Sequence, residues 1–279
     1  MQAVGLTDGR ASSGCEAGQE QLGRKANVLP CAGRDGTLPR KARGYLMPVV
    51  IGSESIDRDQ PPLSREDMDV IDRFHDLYYR RWMSGGADTK WLTWMGFKVV
   101  KCPLDLWIYQ ELLVRTRPDL VIETGTYAGG SALFLASVMD LIGNGRVISI
   151  DVEPQAGRPQ HPRLSYWTGS SVDEAILAAA RKAARGGRTT VVLDSDHSAT
   201  HVFQEMMSYR DFVQVGDYLI VEDTNVNGHP TLPEFGPGPM EAVEKFLAQT
   251  DEFASDRRCE RFLLTLNPKG YLKRVLPAR

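Results

Sequence analysis

Val121-Ile122-Glu123-Thr124-Gly125-Thr126-Tyr127-Ala128-Gly129-Gly130-Ser131 begins as an apolar strand, passes through a glycine-bearing turn, and enters an apolar helix that the spacing carries from about Ala132 to Ile142. Such a junction sets free backbone N–H groups and the positive end of a helix dipole at the carboxyl edge of a sheet, where a cofactor can sit. Gly125, Gly129 and Gly130 permit positive φ or close backbone approach, and Glu123 offers an acceptor for a hydroxyl or an amine. Thr126, Tyr127 and Ala128 separate Gly125 from Gly129, so the pattern is not the dinucleotide G-x-G-x-x-G. Taken alone, it is also what an ordinary tight strand-to-helix connection looks like.

Downstream the unit repeats. Gly143-Asn144-Gly145 is a turn, and Arg146 to Asp151 reads as a buried strand ending in an acid. Leu164 to Trp167 is a short strand before Gly169-Ser170-Ser171, and Val172 to Arg185 is helical. Thr189 to Leu193 is a strand ending in Asp194-Ser195-Asp196-His197, followed by a helix from Ala199 to Tyr209. Tyr218 to Val221 ends in Glu222-Asp223, and a Pro/Gly-rich loop from Asn227 to Pro239 leads into a helix from Met240 to Leu247. Phe262 to Leu266 with Tyr271 to Val275 reads as a terminal hairpin. Alternating strand and helix patterns predict an α/β fold with a doubly wound, mostly parallel sheet.

Upstream, Leu104 to Arg115 is an amphipathic helix. Thr89 to Phe97 is aromatic-rich, too irregular for a strand face, and reads as core or as a cover over a pocket. Ser64 is a helix N-cap with acids in the first turn, and Met68, Ile71, Phe74, Leu77 and Tyr78 carry that helix to about Arg81. Met1 to about Arg43 has almost no apolar periodicity and is expected to be disordered. Residues 1–46 are thus either a tail or the product of a misassigned start ahead of Met47, and residues 47–279 form one domain.

Composition narrows the function. The 33 basic and 36 acidic residues leave a formal charge of -3, which gives no basic stripe for nucleic acid. Cys15, Cys31, Cys102 and Cys259 lack C-x-x-C spacing, which argues against a disulfide framework and a thiolate zinc site and fits a reducing cytoplasm. No apolar run approaches the roughly 20 residues that span a bilayer.

The strand ends carry the chemistry. Glu123, Asp151, Asp194 with Asp196, and Glu222 with Asp223 converge on one sheet edge, and crowded carboxylates require something positive among them. Asp151 stands where nucleoside-binding α/β folds place an acid on the ribose hydroxyls. Asp194, Asp196, Glu222 and Asp223 are oxygen donors of the kind Mg²⁺ prefers, and His197 beside them is a candidate general base.

Arg117-Pro118-Asp119-Leu120-Val121-Ile122-Glu123-Thr124-Gly125, Gly129-Gly130-Ser131-Ala132, Leu193-Asp194-Ser195-Asp196-His197-Ser198 and Val221-Glu222-Asp223-Thr224 together resemble the cephalosporin hydroxylase and rhamnosyl O-methyltransferase family. Lys101 to Trp107 with Tyr109-Gln110 looks like its helical lead-in, and the resemblance runs from about Ser64 to the C-terminus. It implies a Rossmann-like class I methyltransferase fold, seven-stranded with an antiparallel last strand, in a homo-oligomer. The implied activity is S-adenosylmethionine- and Mg²⁺-dependent methylation of a small-molecule hydroxyl, on a sugar of a natural product or lipid or on a β-lactam.

By similarity, Glu123, Gly125, Thr126, Tyr127, Gly129 and Ser131 hold the methionine portion, Asp151 the ribose, and Gly169, Ser170 and Ser171 the adenine side. Glu222 and Asp223 are expected metal ligands with Asp196, while Asp194 is shared with the cofactor or takes the place of Asp196. His197 is the expected base and His201 the second candidate. The family's other name suggests a hydroxylase, but no 2-His-1-carboxylate pattern accompanies it. A non-catalytic cofactor-binding protein of the same fold is the remaining alternative.

Overall fold

The computed structural model describes residues 62–83 and 92–278. The strand β3 (Leu120–Thr124), buried at every position, is an interior strand of the sheet. It pairs in parallel with β4 (Arg146–Asp151) and with β6 (Thr189–Leu193), Thr124 standing opposite Ile150 on one side and Leu193 on the other. The seven-stranded order is β5-β4-β3-β6-β7-β9-β8, with β5 at Leu164–Thr168, β7 at Tyr218–Val221, β8 at Phe253–Ser255 and β9 at Tyr271–Arg274. Strands β3 to β7 are parallel, and β9 is antiparallel to β7 and β8.

Because successive strand residues face opposite sides, the sheet sorts its apolar residues into two cores. Ile122, Ile148, Val191 and Leu219 pack against α4 (Glu174–Ala184), α5 (Ala199–Tyr209) and α6 (Pro239–Leu247). Val121, Val147, Val192 and Ile220 pack against α2 (Pro103–Thr116) and α3 (Gly130–Ile142). Helices on both faces and a reversal of strand order between β3 and β6 make the sheet doubly wound, and leave a crevice at the carboxyl ends of these two strands.

Three expectations need correction. The antiparallel pair at the C-terminus is present, but its first arm is β8, whereas Phe262 to Leu266 forms no strand. The backbone there is bonded elsewhere: Leu266 N donates to Asp105 Oδ2, and Leu266 O accepts from Asn225 N. Leu264 and Leu266 bury against Cys102, with Tyr78 and Tyr79 packed beside them. The aromatic stretch does contain strands: β1 (Leu92–Trp94) and β2 (Phe97–Val99) form a small hairpin turning at Met95 and Gly96. Trp94, partly buried, meets Phe134 of α3 edge-on at 5.0 Å and donates from Nε1 to Ser137, so it packs against the core; Trp91 lies outside the described residues.

The first helix, α1 (Arg65–Tyr78), starts at Ser64 with a reciprocal capping box to Asp67, but it ends before Arg81 and passes into a π-helical turn over Tyr79–Met83. His75 is its only buried residue, while Met68, Phe74 and Leu77 remain largely exposed. The expected tail, residues 1–46, lies outside the described residues.

Candidate active site

A cavity of about 690 Å³ opens at the crevice, lined by Gly125 and Tyr127 of the first turn, Asp151, Gly169 to Ser171, Asp194 to His197, His201 and Asp223. At Gly125, φ is +82° and an added Cβ would come within 1.7 Å of the Asp194 carbonyl oxygen. Glycine is therefore required both for the conformation and for the contact between the two strand ends. Gly129, at φ +79°, is the N-cap of α3 and faces the Tyr166 hydroxyl.

Asp151 stands at the end of β4 with both oxygens engaged. Oδ2 accepts from Tyr127 N at 2.8 Å and from Arg158 at 3.1 Å, and Oδ1 accepts from Glu153 N at 3.0 Å. Arg158 also donates to the carbonyls of Tyr127 and Glu153 and lies over the Tyr166 ring, so it braces this wall. No spacing marks Arg158 in the sequence. Across the cavity, Ser171 Oγ is 3.4 Å from His201 Nε2.

Glu123 does not line the cavity. It is fully buried beneath the turn, where its Oε2 accepts from Ser149 Oγ at 2.6 Å, and Ser149 in turn bonds Thr126. Burial raises its pKa. Ser131 is buried in the first turn of α3, outside the lining as well.

The acids sort into an outer and an inner group. Outside, His197 Nε2 lies 3.1 Å from Asp223 Oδ2 and 3.4 Å from Asp194 Oδ1, and the three side chains offer ligand atoms within 4.8 Å of one another. Burial works against a charged ring, but the hydrogen bonds it donates to Asp194 and Asp223 outweigh it and push His197 up to about 11. Inside, the ammonium of Lys101 bonds Asp194 Oδ2 and lies 2.6 Å from Glu222 Oε1. Burial disfavours the charge on Lys101, yet these two carboxylates hold it protonated. Desolvation pushes the Asp194 carboxyl up and Lys101 more than reverses it; for Glu222 burial wins, and its pKa is raised.

The structure thus gathers Asp194, His197 and Asp223, and keeps two expected ligands out of that group. Glu222 is buried against Lys101, and Asp196 is exposed at the rim, its Oδ1 accepting from Ser198 N at 2.7 Å. His201 lies on the cavity wall with its Nε2 3.7 Å from Glu205. Lys101 escaped sequence reading: carboxylate crowding demanded a cation, but nothing in the spacing said which. The Asn227 to Pro239 loop is fastened rather than loose, through Pro237 O to Ala199 N and through Asn227 to Glu241.

Residues 88–275 match the family described as Rhamnosyl O-methyltransferase/CmcI. The rhamnosyl O-methyltransferase of Mycobacterium tuberculosis H37Rv is 41% identical over 209 residues, covering 70% of this chain and 83% of that protein. Its Mycobacterium leprae counterpart is 40% identical over 206 residues, covering 70% and 89%. Among solved structures, an apo form of CmcI shares the fold at TM-score 0.53 and 23% identity, covering 82% of this chain and 89% of that one. CmcI described with Mg and SAM gives TM-score 0.53 at 21% identity, covering 82% and 90%.

Proposed function

The chain belongs to the rhamnosyl O-methyltransferase/CmcI family, and from that premise we propose that it transfers the methyl group of S-adenosylmethionine to a hydroxyl of a sugar-bearing small molecule, with Mg²⁺ at the outer acid group. The observation that carries this reading is the single cavity joining the glycine turn and Asp151 to Asp194, His197 and Asp223. CmcI, which shares the fold, is described with both Mg and SAM, and the relatives are named for transfer to rhamnosyl groups.

In this reading the Gly125 to Ser131 turn receives the methionine portion, Asp151 the ribose, and Gly169, Ser170 and Ser171 the adenine side. Two carboxylates, Asp194 and Asp223, open onto the cavity with the oxygen donors a hard divalent cation takes, so the residues fit Mg²⁺. When bound, Mg²⁺ supplies Lewis acidity that lowers the pKa of the acceptor hydroxyl. His197 takes the hydroxyl proton at Nε2 once the charge of its carboxylate neighbours is compensated, and His201, in the first turn of α5, is the second base. With S-adenosylmethionine bound, its methyl group would leave the sulfonium sulfur for the hydroxyl oxygen and release a neutral thioether. The protein's chief task is therefore alignment of donor and acceptor. Glu222 serves the group through Lys101, and Asp196 by shaping the turn before α5.

A hydroxylase of the facial-triad kind needs two histidines and one carboxylate, whereas the outer group offers one histidine and two carboxylates. We assign the catalytic domain to residues 47–279 and place the enzyme in the cytoplasm as a homo-oligomer acting on a small molecule rather than on nucleic acid. Among the described residues no helix is long and apolar enough to cross a membrane. The test is calorimetry with S-adenosylmethionine, with and without Mg²⁺, followed by transfer of labelled methyl to a rhamnose-bearing glycoside. Cofactor binding and EDTA-sensitive labelling are expected, and absence of cofactor binding overturns the reading.

A further inference from the structure

Lys101 joins β2 to the start of α2, yet its side chain runs inward until only 3% of it is exposed. There its ammonium bonds Asp194 Oδ2 at the end of β6 and Glu222 Oε1 at the end of β7, at 2.6 Å from the latter. The fully buried carboxyl of Glu123 adds a third negative neighbour. Asp194 is shared between the groups, one oxygen facing Lys101 and the other facing His197 and the cavity.

A carboxylate shared in this way between two neighbouring cation positions is what two-metal sites are built from, with ions about 3.5–4 Å apart. Here one of the two positions is filled by the protein itself. We propose that Lys101 is a positioning residue that occupies the inner half of the acid group as a tethered cation, so that the group accepts one divalent ion, at its outer edge, instead of two. An ammonium cannot exchange with solvent ions, and it presents three donors that fix Asp194 and Glu222 before any metal arrives. It also removes one negative charge from the group at all times, which sets how strongly the outer edge attracts a cation. The proposal rests on the reading that the outer edge holds a metal.

Mn²⁺ serves as the probe, with bound ions counted by electron paramagnetic resonance on the full chain and thermal stability followed in parallel. The wild type is expected to bind one Mn²⁺ per chain. Lys101→Ala removes the ammonium and leaves room for an ion, and is expected to bind two. Its Tm should keep rising with Mn²⁺ beyond the concentration at which the wild type levels off, since each bound ion stabilises the folded state by mass action. Lys101→Arg keeps the charge and is expected to remain at one ion. If Lys101→Ala is unfolded in EDTA, recovery of its circular dichroism on adding millimolar Mn²⁺ supports the proposal, and failure to recover overturns it. A folded Lys101→Ala that binds a single ion with unchanged affinity overturns it too, as does a second ion in Lys101→Arg. A wild type that binds no Mn²⁺ instead overturns the metal reading itself.

Discussion

His197 Nε2 lies 3.1 Å from Asp223 Oδ2, and Asp223 holds that position with a left-handed backbone, φ +52°. Asparagine, like aspartate, tolerates this conformation better than most non-glycine residues. Asp223→Asn therefore removes the charge without straining the chain. It is expected to weaken Mg²⁺ binding by at least about 10-fold while leaving metal-free cofactor affinity unchanged. Calorimetry decides, and an unaltered Mg²⁺ affinity would contradict the assignment.

His197→Gln keeps a polar group of similar reach but cannot accept a proton as an imidazole does. Turnover should fall by about 10²- to 10⁴-fold with cofactor affinity retained, the usual range for losing a positioned general base. The pH–rate profile should lose its ascending limb as well. A profile identical in shape to that of the wild type counts against the role.

Gly125→Ala touches no proposed metal ligand side chain, yet its methyl would fall on the Asp194 carbonyl in a conformation that L-residues disfavour. Strain of this kind costs about 2 kcal/mol, and the clash adds to it. The urea midpoint should drop and cofactor binding should weaken together. Wild-type stability in this variant would mean that the two strand ends are further apart than the structure places them.

His75 is the buried residue of α1, with Nε2 3.0 Å from the Asn225 amide nitrogen. Burial depresses its pKa to about 4, against 6.5 for the exposed ring. The unfolded chain therefore takes up a proton at a higher pH than the folded chain does. Stability should fall as pH drops from about 6.5 to 4, by about 3 kcal/mol in all, and level off below that. In His75→Gln this part of the slope should disappear, as chemical unfolding at a series of pH values would reveal.

The parallel strands were legible because they are short apolar runs ending in acids, and four of them, Leu120–Thr124, Arg146–Asp151, Thr189–Leu193 and Tyr218–Val221, sit where periodicity placed them within a residue or so. Local pattern failed where tertiary partners decide. Phe262 to Leu266 has the look of a strand, but Asp105 and Asn225 take its backbone bonds. The hairpin of β1 and β2 lacks alternation because Trp94 spends its face on Phe134 rather than on a sheet. In the site, each strand-end acid could be named, but its side-chain direction could not. Glu123 and Glu222 both turn inward, and the lysine that allows it lies 121 residues before Glu222.

The pairing of Thr124 with Leu193 makes Gly125 and Asp194 the next residues on neighbouring strands. Parallel strands can shift only by whole residues, about 3.3 Å at a time, and a shift of one would turn every buried side chain to the opposite core. The offset between the glycine turn and the acid group is therefore an integer, inherited from the hydrogen-bond ladder instead of tuned by contacts. A reaction that depends on alignment at the sub-ångström scale has its coarse setting in the most conservative part of the architecture.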